Sequence, residues 1–161
     1  MTKLVAALVA SALLLAPFSA RAGLLFEGSI GSGFTLSPDS GNRIPTSIMA
    51  TGGYSFPMVK LELGVVGNLS DVESSEFDLD LRPMLVLSPP AFPLYGRIIL
   101  GVTGLVEGPT AFNWGGAVGV RIGAVGLGAF VEAGALSRKI EVNGKEEDSW
   151  LAEGRLGFYW D

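Results

Sequence analysis

The chain contains no cysteine and no histidine. The first absence removes disulfides and thiol catalysis. For an exported chain that is a real constraint, because small secreted domains often depend on disulfides; stability must come from another source. The second absence removes the commonest acid–base group at neutral pH and the commonest metal ligand. A Ser-His-Asp or Cys-His site therefore cannot be assembled in one chain. Beyond residue 22 there is no run of 18 apolar residues free of charge, so a helical membrane span is not indicated. Nor is there a basic stripe, which argues against a nucleic-acid partner.

The first 22 residues read as a cleaved secretory signal. Lys3 supplies a positive start, Leu4 to Leu15 is apolar except for Ser11, and Ala20-Arg21-Ala22 is a small-residue cleavage site. The apolar run is short of the ~20 residues a spanning helix needs. The remainder, residues 23–161, is sized for one domain. Without Lys3 and Arg21 it holds 9 basic and 16 acidic residues, a net charge of −7.

This remainder alternates with the period of a β-strand. The end of the chain shows it best. Trp150, Ala152, Gly154, Leu156, Phe158 and Trp160 share one face, while Glu153, Arg155 and Asp161 share the other. Seven earlier segments behave alike: 24–36, 46–56, 58–67, 77–87, 94–106, 112–122 and 125–137. In the fourth, Phe77, Leu79, Leu81 and Leu85 oppose Asp78, Asp80 and Arg82. The rival for 115–136 is a helix with small residues at Gly115, Gly119 and Gly123. Seven glycines in that stretch, each costing about 1 kcal/mol in a helix relative to Ala, with Arg121 and Glu132 inside it, favour strands.

Connections after the first, third and seventh segments are polar: SPDSGNRIP, NLSDVESSE and RKIEVNGKEED. Those after the second, fourth and sixth are brief. Short turns at one end and longer loops at the other, with an even strand count, are the marks of a transmembrane barrel. The predicted fold is all-β, an eight-stranded antiparallel up-and-down transmembrane β-barrel. Phe26, Tyr54, Phe112, Trp114, Trp150, Phe158 and Trp160 then read as anchors at the two lipid interfaces.

If the apolar faces meet lipid, the other faces enclose a lumen. It would hold Glu27, Glu62, Asp78, Asp80, Glu132 and Glu153 against Lys60, Arg82, Arg97, Arg121 and Arg155. A selective channel would carry charge of one sign. Near balance predicts pairing, and eight strands leave an interior just wide enough for side chains. The expected lumen is plugged, although inward glycines leave room for a thin water path, so a narrow pore for ions or small solutes is the alternative. A soluble barrel fits less well. A hydrophobic fraction of 48% and a mean hydropathy of +0.45 are high for a soluble domain.

No residue is assigned a catalytic, cofactor-binding or metal-binding role. Asp78 and Asp80 share a face, which acid–base work could use, but Arg82 and Arg97 are nearer at hand as partners. GSIGSGF at 28–34 lacks the spacing and the following helix of a phosphate loop. Acids at 71–76 and 146–148 read as a solvated rim.

The whole of 23–161 resembles the small eight-stranded outer-membrane barrels of the outer-membrane protein A and X type. The most specific element is the last strand, where Leu156, Phe158 and Trp160 fit the alternating, aromatic-ending assembly signal; Asp161 departs from it. The resemblance implies a bacterial outer membrane, with insertion by the barrel-assembly machinery and contact with periplasmic chaperones. Outer-membrane lipids and lipopolysaccharide would surround the wall. The resemblance does not transfer a function; a plugged barrel reads as a structural or surface-interaction protein acting through its external loops, whose partner is not identified, and the missing histidine makes a membrane-embedded enzyme the least supported reading.

Overall fold

The computed structural model describes residues 23–37, 43–69, 78–89, 92–106, 110–124, 126–142 and 145–161. The segment expected to be an export signal, residues 1–22, lies outside these residues. Eight strands follow one another: β1 (Gly23–Ser37), β2 (Arg43–Ser55), β3 (Val59–Asn68), β4 (Asp78–Leu87), β5 (Leu94–Thr103), β6 (Ala111–Ala124), β7 (Leu127–Val142) and β8 (Lys145–Trp160). Each pairs antiparallel with its sequence neighbours, and β8 returns to pair with β1, from Phe26↔Trp160 to Ser37↔Trp150. The sheet is a closed up-and-down barrel. Closure leaves no unpaired sheet edge along the shared length, which is what a strand structure surrounded by lipid requires.

Alternation decides which way each side chain goes. Along β1, Leu25, Glu27 and Ser29 are buried, while Leu24, Phe26, Gly28 and Ile30 are exposed. A glycine shapes one of the short turns. Gly126, between β6 and β7, has φ +80, a conformation that costs any residue with a Cβ. Its carbonyl accepts the Asp161 N–H at 2.8 Å, which ties the end of β8 to that turn.

The seventh polar connection is shorter than its composition suggests. β7 runs on to Val142 and β8 resumes at Lys145, paired through Val142↔Lys145. Ile140 and Val142 keep the alternation going inside the charged run. Residues 143–144, between the two strands, lie outside the described residues. β2 likewise begins three residues earlier than the sequence pattern places it, at Arg43, whereas β5 stops at Thr103.

Candidate functional site

The burial pattern is inverted relative to a soluble barrel. Glu27, Lys60, Glu62, Asp80, Arg82, Arg97, Arg121, Glu132, Glu153 and Arg155 are all at most 8% exposed. They form five acids against five bases inside the wall. The Asp78 backbone pairs with Asn68 at the start of β4, but its side chain lies outside the described residues.

Arg97 on β5 is the hub of the larger cluster. One of its Nη atoms lies 2.6 Å from Glu27 and 3.1 Å from Glu62, and the other lies 3.1 Å from Glu132. Arg121 on β6 also pairs with Glu27, and lies 3.5 Å from Glu62. Five strands that do not all touch one another are thereby joined through the lumen. A second cluster lies further from the short turns. Arg82 pairs with Glu153 at 2.9 Å and with Asp80 at 3.2 Å. Arg155 pairs with Glu153 at 2.8 Å and donates to the Ser29 hydroxyl at 3.2 Å and to Ser47.

Aromatic rings, absent from the charge pattern read in sequence, fill the turn end. Tyr95 donates to Glu132 at 2.7 Å. Lys60 lies over the Tyr159 ring, Arg121 over Tyr159 and Tyr95, and Arg97 over Tyr95 and Phe130. Three cations and three rings alternate, and each such contact is favourable, the more so when desolvated. Lys60 also pairs with Asp161, so the residue that follows the terminal aromatic reaches across the mouth to β3. Phase alone puts these rings on the charged face in sequence. Tyr95 stands two residues from Arg97, and Phe130 two from Glu132.

The rest of the lumen is apolar. Met49, Val66, Met84, Ile99, Ala117 and Leu136 form one buried cluster. The inward glycines, read in sequence as spare room, are occupied space instead. A Cβ at Gly119 would come within 2.5 Å of the Tyr95 ring, one at Gly157 within 2.7 Å of Phe130, and one at Gly31 within 2.7 Å of Arg155. The cavity between the two charge clusters measures about 10 Å³, the scale of a single water molecule. It is lined by Arg82, Arg97, Glu132, Glu153, Arg155 and apolar neighbours. Each described lumen carboxylate faces a cation, and no three acids among the described residues converge on a metal-binding geometry.

The seven aromatic residues singled out in sequence lie on the outside of the wall. Phe26 stacks on Trp160, with centroids 5.8 Å apart, at the turn end. Trp114 meets Trp150 edge-on at 5.3 Å toward the other end. Ser137 sits between those two tryptophans in the same cross-strand row, and they bury it to 4% exposure. Tyr54, Phe112 and Phe158 are exposed. Between the rings the surface is apolar, with Leu61, Leu63, Ile98, Leu100, Val131 and Leu156 all about half exposed.

A closed barrel of eight antiparallel strands, apolar outside and charge-paired inside, is the architecture of the small outer-membrane barrels. No protein-family model matches the sequence, and no curated protein matches it. Among solved structures the chain is similar to Neisserial surface protein A, with a TM-score of 0.57 and 13% identity over 86% of this chain and 97% of that one. It is also similar to the N-terminal β-barrel domain of Pseudomonas aeruginosa OprF, with a TM-score of 0.52 and 13% identity over 87% of this chain and all of that domain. At that identity the likeness is one of fold.

Proposed function

We propose that the protein is an integral barrel of the bacterial outer membrane whose lumen is sealed, and that it serves the envelope as a structural or surface-interaction protein through its longer loops. The carrying observation is the inverted burial. Ten ionisable side chains are inside, while Phe26, Ile30, Leu61, Ile98, Val131 and Leu156 face outward on a continuous band. In water such a band would be an aggregation surface; in a bilayer it is the expected lipid face. The aromatic pairs at both ends of the band suit the two interfaces.

Against a pore stands the filled lumen. The cavity between the charge clusters has room for about one water and is walled by paired charges, which gives a solute no route. The test is twofold. The unboiled protein, refolded into detergent micelles, should migrate differently from the boiled protein on a gel. Inserted into planar bilayers it should stay silent. A soluble, heat-indifferent product would overturn the membrane reading, and stable open steps of hundreds of picosiemens would overturn the sealed lumen.

A further inference from the structure

Two features coincide on the outer face of β2–β5. The first is a break in the barrel wall. β4 and β5 pair at Leu81↔Val102 and again from Met84↔Ile99 in the same register, but the ladder lacks pairs for Arg82 and Pro83 between them. Pairing of Pro83 with Leu63 on β3 is uninterrupted. The break therefore falls on the β5 side, where Pro83 has no N–H to give. Proline inside a sheet is otherwise confined to edges, strand starts and bulges.

The second feature is a trough of about 600 Å³ on the outside of that seam. Around Pro83 it is lined by Gly52, Leu63, Leu85, Ile98 and Leu100. Its size falls within the ~300–1,000 Å³ of pockets that hold small ligands. Gly52 deepens it, since an added Cβ there would meet nothing within 4 Å. Met84 borders both this trough and the internal cavity. The lower lip includes Tyr54, which packs on Phe56 beside the β2–β3 turn with centroids 5.1 Å apart.

We propose that the trough is a binding site for one acyl chain of a phospholipid of the periplasmic leaflet, laid over the Pro83 break. The inference rests on the membrane reading above. Apart from Glu62, which the lumen arginines hold, the lining is apolar or glycine around Pro83, the trough lies within the outward apolar band, and its lip belongs to the aromatic belt at the turn end. A gap in a packed wall forfeits dispersion contacts. A hydrocarbon chain restores them without needing a hydrogen bond, and a headgroup would sit beside Tyr54.

The full chain is reconstituted into vesicles of palmitoyl-oleoyl phosphatidylethanolamine and phosphatidylglycerol, extracted in mild detergent and weighed by native mass spectrometry. Wild type should retain one phospholipid. Gly52→Leu, which fills the trough, should lower the retained fraction at least tenfold. Leu100→Trp, filling it from the other wall, should do the same if the first variant folds poorly. Gly154→Leu is the control. Gly154 is outward-facing on β8, with the nearest contact to an added Cβ at 3.9 Å, and that variant should retain the lipid. Equal retention by wild type and both filled variants overturns the site, as does a lipid-free wild type or a dimer sealed through this face. Gel mobility of each sample separates the two readings. A heat-shifted barrel without the lipid difference removes the site alone, and a heat-indifferent product removes the membrane reading and the site with it.

Discussion

Arg97 shows what a single side chain does in this lumen. It holds three carboxylates on three other strands, Glu27, Glu62 and Glu132, with no exposed surface of its own side chain. Removing one partner of a buried pair leaves charge unpaired at a cost of about 3–5 kcal/mol. Arg97→Ala should therefore lose at least that much stability, read as a lower urea midpoint for unfolding from vesicles. The loss reflects stranded carboxylates and not a missing attraction. Adding Glu132→Gln, which neutralises the carboxylate left without its cation while Glu27 and Glu62 keep Arg121, should then recover part of it, and a further fall on adding it would refute the account. The inward glycines carry the same lesson about space. A side chain at Gly119 must displace the Tyr95 ring, and overpacking costs about 1–3 kcal/mol. Gly119→Val should show that cost in the urea midpoint, and Tyr95→Ala in the same chain should relieve it. Equal costs in both backgrounds would mean that Tyr95 is not what the new side chain meets.

At the scale of the strand, period two carries most of the structure. It settles which side of the wall each residue takes, because one step along the chain reverses the face. That is why eight segments, their order and the split of charge from apolar surface could be read from sequence. Pairing across the lumen could not, since it depends on barrel tilt and stagger. Arg97 meets Glu132, 35 residues away, and nothing local marks that partner. The inward rings were legible as to side, since Tyr95 and Phe130 share the phase of Arg97 and Glu132, but which cation each ring meets depends on the same tilt and stagger. Lys139–Val142 read as loop because charge outweighed alternation. Leu156, outward on β8 between Ile30 and Val131, tests the faces directly. Leu156→Arg should cost about 2–4 kcal/mol for folding into vesicles. In a barrel exposed to water the same change would be near neutral, so an unchanged vesicle midpoint would count against a lipid face.

For the molecule as a whole, the lumen consists of seals in series. The Asp161–Lys60 contact and the inward rings close the turn end, the Arg97 cluster lies beyond them, and Met49, Met84, Ile99 and Leu136 pack further in beside the Arg82–Glu153–Arg155 cluster. A solute must pass every layer, and the barrier to flow is set by those still intact. Five buried acids balance five buried bases over the lumen as a whole, so its filling lacks the single-sign charge of a selective channel. Sealing should then be redundant. Lys60→Ala, which frees Asp161, should leave a planar bilayer silent, and so should Met84→Ala alone. A chain combining Tyr95→Ala, Phe130→Ala and Met84→Ala thins both the ring layer and the apolar layer, and should give brief open steps, provided its gel mobility still shows a folded barrel. If Lys60→Ala conducts by itself, the lumen is a channel held shut by one contact; if the triple variant stays silent while folded, the two charge clusters alone suffice to close it.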